Sequence, residues 1–283
     1  MGALPFDILA CGWFRPDKVR VRFDARPRPS TAELDAAIEA EWQRQLRLAQ
    51  GTNRVLFNGE LLRYVGHAIQ RAGGGSGADE EVFELTVGPT CYRDFVGTNL
   101  FGGRHLSKYG WEMFSNAVGT TATLLTVDNR ICYGRRSDRV SFHAAHVHTF
   151  GGALEAADRA ADGSIDAFAS VARELTEELG LSRRELSEFA CVGMIRDKEI
   201  HQPEMLFEAR LNLTADELYR RWDEAEACDE HDDIVSLANE PDAIVPFIKS
   251  CGLIAPVAIG ALFLHGRLAW GEEWFLPAAD QLN

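Results

Sequence analysis

The chain has 283 residues, 46% of them hydrophobic, enough to bury the core of one large domain or two small ones. Its 29 basic residues are outnumbered by 43 acidic ones, a net charge of −14 spread along the chain. That balance argues against gripping a long polyanion by counterion release, so no nucleic-acid partner is expected, and a small anionic substrate would need a divalent cation to invert the local charge.

Cys11, Cys91, Cys132, Cys191, Cys228 and Cys251 show no CxxC or other ligand spacing and read as reduced thiols. The first residues lack a basic stretch, and the longest uncharged run, Cys251 to Leu264, is shorter than the roughly 20 residues a bilayer requires. A cytoplasmic protein without a membrane partner is therefore expected, and that run reads as a buried helix beginning near Pro256. Ser30-Thr31-Ala32-Glu33 has the form of a capping box, and Leu34, Ile38, Trp42 and Leu46 recur at i+4, which predicts an amphipathic helix between Pro27 and Gln50. Short apolar runs at Val55-Leu56-Phe57 and Leu61-Leu62 suggest strands. Gly73-Gly74-Gly75-Ser76-Gly77 has no lysine or strand-then-helix context and reads as a hairpin tip, and Val82 to Val87 alternates as a strand does.

Cys91 to Asn99 is dense in aromatic and hydrogen-bonding groups. Tyr92 or Phe95 could stack on a base while Arg93, Asp94 and Asn99 read polar edges, or an Arg-Asp pair could simply pin a turn. Ala122 to Val127 and Arg130 to Tyr133 predict two strands joined at Asp128-Asn129. His143, His146 and His148 crowd the approach to Gly151; their spacing invites a zinc reading, but a structural or substrate-side role is preferred.

The densest chemistry lies in Arg173-Glu174-Leu175-Thr176-Glu177-Glu178-Leu179-Gly180-Leu181. At about 100° per residue, Glu174, Glu177 and Glu178 share one helix face within about 100° of arc, while Phe168, Val171, Leu175 and Leu179 form an apolar stripe. A helix buried on the stripe must crowd its acids on the other side, and a hard cation such as Mg²⁺ or Mn²⁺ relieves their repulsion. Arg173, four residues before Glu177, can hold that carboxylate, and Gly180 fits a helix C-cap. The bland alternative is a solvated acidic face. Further on, Phe189 to Ile195 and Met205 to Leu213 predict strands flanking a charged loop that carries Arg196, Glu199 and Glu204. Asp223 to Asp233, with seven acids, reads as an exposed helix end or loop.

The stretch from Arg173 to Leu181 resembles the second half of the Nudix box, and Gly151-Gly152-Ala153-Leu154-Glu155 resembles its opening. The separation of Gly152 from Arg173 is 21 residues, seven longer than the motif's standard spacing. The extra residues fall in Ala156 to Ser164, and the box's central glutamate would be replaced by Asp166 or Asp162. Phe150 stands where the family often has proline. Tyr92 to Asn99 and Gly134-Arg135-Arg136-Ser137 look like the UDP-glucose pyrophosphatase branch. This resemblance implies an α/β (α+β) protein: an α/β/α sandwich with a mixed sheet at residues 116–283, preceded by a smaller α+β region at residues 1–115 that contributes to substrate binding.

It further implies Mg²⁺-dependent cleavage of a UDP-sugar to UMP and sugar 1-phosphate. Metal would be held by Glu174, Glu177, Glu178 and the Gly152 carbonyl. Arg173, Glu199 and Glu204 would complete the catalytic set, with the general base among Glu174 and the loop glutamates. Tyr92, Arg93, Asp94, Phe95, Asn99, Arg135, Arg136 and Arg196 would bind substrate. The alternatives are another nucleoside diphosphate derivative, such as ADP-ribose, or a silent nucleotide sensor.

Overall fold

The computed structural model describes residues 4–51, 56–71, 81–101, 106–138, 142–225 and 230–282. In chain order the elements are β1 (Phe6–Phe14), β2 (Val19–Phe23), α1 (Ala32–Gly51), β3 (Glu60–Arg71), β4 (Glu81–Cys91), α2 (Tyr92–Phe95) and α3 (Leu106–Tyr109). Then follow β5 (Gly119–Leu125), β6 (Arg130–Arg136), β7 (Val147–His148), β8 (Phe150–Ala153), α4 (Ala167–Leu179), β9 (Leu186–Asp197) and β10 (Pro203–Leu211). The chain closes with α5 (Ala215–Trp222), β11 (His231–Ala238), α6 (Pro241–Ser250), α7 (Pro256–Trp270) and α8 (Glu272–Gln281).

Eight strands build one sheet in the order β1-β9-β10-β5-β6-β11, with β7 on β6 and β8 on β5. The β10–β5 pair is parallel and its neighbours are antiparallel, so the sheet is mixed. Alternation along β10 sends Met205 and Phe207 toward α4 and Leu206 toward α7, placing one helix on each face. The expected mixed α/β architecture is therefore present. A second sheet, β2-β4-β3, lends Leu62, Phe83, Leu85 and Val87 to the same core that receives Val171, Leu175 and Leu179 of α4. Backbone bonds from Val118 N to the Leu62 carbonyl and from Leu62 N to the Leu154 carbonyl stitch β3 to the ends of β5 and β8. The first strand crosses the expected border near residue 115: β1 pairs with β9 at the edge of the large sheet.

Helix α1 buries Leu34, Ile38 and Trp42, and Thr31 Oγ1 accepts from Leu34 N at its start. Helix α7 starts at Pro256, buried from Pro256 through Gly266; no helix among the described residues is long and apolar enough to cross a membrane. Beyond Cys91, the last residue of β4, the stretch to Asn99 is helical, α2 running into a π turn at Val96–Leu100 with Phe95 and Val96 buried. Leu56 and Phe57 precede β3 without joining a strand; Val55, the glycines of 73–77 and Cys228 lie outside the described residues.

One polar cluster sits inside the α7 layer. His265 shares a 2.7 Å bond between Nδ1 and Glu208 Oε2 and a 2.8 Å bond between Nε2 and Asn239 Oδ1, with His265 and Glu208 each 97% shielded. Removing one member of a buried pair strands its partner without solvent. Glu208→Ala should therefore cost about 3–5 kcal/mol in urea denaturation, with Glu208→Gln costing less because it keeps an acceptor. A Glu208→Ala midpoint equal to that of the parent would refute this account.

Candidate active site

Helix α4 carries the site because both of its ends are closed by side chains or turns. Asp166 Oδ1 accepts from Phe168 N at 3.0 Å and Ala169 N at 3.1 Å, while Gly180 ends the helix with φ 64°, a left-handed turn that suits glycine. The stripe of Phe168, Val171, Leu175 and Leu179 is buried, Phe168 meeting Phe189 and Phe207 edge-on at 5.1 and 5.0 Å.

That docking presses two carboxylates against the Gly151-Gly152 turn of β8. Glu178 Oε2 accepts from Gly151 N at 3.3 Å, and Glu174 lies over Gly152, where a Cβ would stand 2.8 Å from its carboxyl carbon. A Cβ at Gly152 would push the Glu174 carboxylate aside, and at Gly151, with φ 139°, a Cβ would strike the Thr120 carbonyl. Arg173 Nη1 lies 2.8 Å from Glu174 Oε1 and 3.8 Å from Glu177 Oε1, so it serves Glu174 before the expected Glu177. Glu177 itself is half exposed. Burial pushes the Glu174 carboxyl up to about 7, opposed by Arg173 and reinforced by Glu177, Glu155 and Glu230. Burial likewise pushes Glu178 far above the usual carboxylate range, with Glu230 and Glu174 adding repulsion and Arg136 opposing it.

The residue at the centre of the lengthened motif is Asp158. Its Oδ1 faces Arg173 Nη2 at 3.4 Å, and its Oδ2 accepts from Ser170 Oγ at 3.0 Å and Glu155 N at 2.9 Å. Asp166 is spent on the helix cap, and Asp162 bonds Ser164 at the surface. Neither expected substitute reaches Arg173. The seven additional residues form a turn after a short 3-10 segment, Ala156–Asp158, and return through a bridge between Arg159 and Ile165.

The remaining candidates divide. Glu199 is exposed, its Oε2 3.5 Å from His143 Nε2. Glu204 is buried on the α7 face of the sheet, its carboxylate filling the space over Gly119, so it does not join Glu174 and Glu178. Burial and the charge of Asp197 push Glu204 well above the carboxylate range. Arg196 Nη2 is engaged by Asp7 Oδ2 at 2.5 Å, and Arg135 Nη1 donates to the Ala145 carbonyl at 3.3 Å.

In the Tyr92–Asn99 stretch, Asp94 pairs with Arg28 at 3.0 Å and with Arg93 at 3.1 Å. Phe95 packs with Leu61, Ala117 and Ile200, with Tyr92 against that cluster. Asn99 Nδ2 donates to the Ile200 carbonyl at 3.0 Å, and Asn99 Oδ1 accepts from Asn116 N at 2.9 Å. These five residues bind other parts of the chain. Glu230, next to β11 in a segment read as surface, acts on both Glu174 and Glu178; its only sequence signal was the acidic run.

Among the described residues, no three His, Cys, Asp or Glu side chains already converge as a metal cage. The donor chemistry nevertheless fits a hard divalent cation. Glu174 and Glu178 are carboxylates that repel each other beside a glycine cradle, and oxygen donors of that kind suit Mg²⁺ or Mn²⁺. A cavity of about 480 Å³ is lined by Phe168, Ala169, Ala172, Arg173 and Thr176 of α4 but by none of its three glutamates, so cavity size does not mark the carboxylates.

A carboxyl whose pKa rises on folding makes its full contribution where both states hold its proton, and loses it as the unfolded state ionises while the native state resists. Glu174 rises from 4.5 to about 7, so its contribution is present below pH 4.5 and is lost as pH climbs through 7. Metal-free protein should thus lose thermal stability between about pH 5 and pH 8, with a shallower slope in Glu174→Gln. Mg²⁺ should raise the melting temperature more at the upper end of that range than at the lower. Parallel slopes in parent and variant would contradict the assignment.

No family model matches the sequence. The chain is 28% identical over 255 residues to Nudix hydrolase 9 of Arabidopsis thaliana, a match covering 77% of this chain and 78% of that protein. Solved structures with partial likeness include the DR0079 protein of Deinococcus radiodurans, with a TM-score of 0.38 and 15% identity over 52% of this chain and 80% of that one. A MutT protein of Methanosarcina mazei has a TM-score of 0.34 and 14% identity over 54% and 95%. The likeness to this curated relative spans most of both chains.

Proposed function

We propose that the protein hydrolyses the diphosphate linkage of a nucleoside diphosphate derivative, and that the derivative is a UDP-sugar, split to UMP and sugar 1-phosphate. The observation that carries the reading is the pairing of Glu174 and Glu178 with the Gly151-Gly152 turn, in a chain similar to a curated Nudix hydrolase. Glu174 and Glu178 would hold Mg²⁺, with the Gly152 carbonyl beside them and Glu177 at the exposed margin. When bound, such a cation supplies charge neutralisation and polarisation of phosphoryl oxygens.

The chain's own groups do the rest. Arg173 bridges Asp158 and Glu174, fixing the Glu174 rotamer across the motif's extension. Glu174, whose carboxylate lies over the Gly152 turn, is assigned the proton of the attacking water at its Oε oxygen. Burial of Glu178 excludes water from the second carboxylate and strengthens every charge interaction there. The uridine and sugar preference draws support from the resemblance of the Gly134 to Ser137 segment, and Arg136 stands on the α4 face of β6 close enough to act on Glu178.

A panel of UDP-glucose, UDP-galactose, ADP-ribose and ADP-glucose with Mg²⁺, followed by monophosphate release, tests the reading. Turnover of the uridine compounds alone is expected. Preference for ADP-ribose would move the substrate and keep the reaction, whereas binding without any turnover would favour a nucleotide sensor. Glu178→Gln should lower kcat by a factor on the order of 10² or more, since it removes a charge worth several kcal/mol at the transition state, with the melting curve still cooperative. A Glu178→Gln enzyme within about twofold of the parent would refute the role.

A further inference from the structure

The α4 face of the large sheet continues past Glu178 into a row of basic and aromatic nitrogens. Three adjacent strands contribute to it: β7 brings His148 opposite Gly134 of β6, and β11 brings His231 opposite Arg136. Gly134 has no side chain, and the His231 ring occupies that space, so close that any Cβ at Gly134 would overlap it. Phe150, one strand over, meets the His231 ring at 5.0 Å.

His231 is 98% shielded from solvent, yet neither its Nδ1 nor its Nε2 has a hydrogen-bond partner. Arg136 Nε is likewise buried without an acceptor. A buried polar group left without a partner is unfavourable, and here two such groups stand side by side on paired positions. They need an acceptor that brings several oxygens at once and tolerates a guanidinium. Burial and the Arg136 charge hold His148 and His231 below the usual imidazole range, so at neutral pH the row carries the single charge of Arg136. His148 Nδ1 is tied to the Thr149 carbonyl at 2.7 Å, which fixes that ring as a wall of the row.

We propose that Arg136 and His231, flanked by His148, form a seat for one phosphoryl group of a diphosphate substrate, near Glu178. The seat rests on the hydrolase reading for the identity of its ligand, but its chemistry differs from that of the carboxylates. Donors on β6 and β11 receive oxygens directly, where the carboxylates require a cation. One phosphoryl group held in this seat leaves the other against Glu174 and Glu178, which orients the linkage between them.

Calorimetric titration with methylenediphosphonate, a diphosphate that cannot be hydrolysed, tests the seat in the presence of Mg²⁺. Arg136→Gln and His231→Asn should each weaken binding about tenfold or more, and Arg136→Lys should lose less. With ¹⁵N-labelled imidazoles, the His231 signal, assigned by its loss in His231→Asn, should shift on adding the diphosphonate in the parent and stay fixed in Arg136→Gln. Because the buried His231→Asn could fail to fold, the affinities of the half-buried Arg136 variants carry the test on their own. Equal affinities in parent and Arg136→Gln, or a silent His231 ring, overturn the proposal, including the case in which ordered water alone satisfies these donors. Unchanged KM in variants that still hydrolyse a nucleoside diphosphate derivative would sink the seat and spare the hydrolase reading. Arg136-dependent binding in a protein that hydrolyses none would do the reverse.

Discussion

The burial of the α4 stripe governs the site. Phe168, Val171, Leu175 and Leu179 enter a core shared by both sheets, and each such side chain contributes about 1.5–3 kcal/mol when removed from water. That sum overrides the repulsion it forces on Glu174 and Glu178, which have no other face to occupy. Two carboxyls are held partly desolvated against a glycine turn, a position favourable to protons in the free protein and to a hard cation when one is present. The neighbouring residues manage the consequence: Arg173 sits between Asp158 and Glu174, Gly151 N donates to Glu178, and Gly152 leaves room.

The N-terminal part of the chain joins this frame through its backbone and its core. β1 edges the large sheet, β3 exchanges bonds with the strands that carry the glycine turn, and β4 supplies core side chains beneath α4. The Tyr92–Asn99 stretch acts as a clasp within that arrangement. Asn99 links Asn116 with Ile200, and Asp94 neutralises a buried Arg28, so groups that look suited to a base are already satisfied by the chain. Around Arg136, by contrast, buried polar atoms lack partners within the protein.

Much of this was legible in the order of residues. The period of α4, its capping glycine and its apolar stripe depend on local repeats within a dozen positions, as does the i+4 recurrence of α1, while α7 announced itself as an uncharged run opening at Pro256. Asp158 was harder to find because the inserted turn breaks the count from Arg173, and a fixed spacing cannot see a loop that folds back on itself. Glu230 and His231 were hidden for a different reason. They lie in an acidic run that looks like surface, and only the pairing of β11 with β6 carries them to the carboxylates.

Sequence alone thus determined that Glu174, Glu177 and Glu178 would share a face and that this face would oppose a buried stripe, because helical geometry follows from neighbouring residues. Tertiary structure decided which acids actually meet. Glu204 alternates to the α7 face of its strand, Glu177 stays half exposed, and Glu230 arrives from a distant strand edge. The physical reason is that strand pairing joins residues of any separation, and a strand's two faces differ only by what packs on them, which no local pattern encodes.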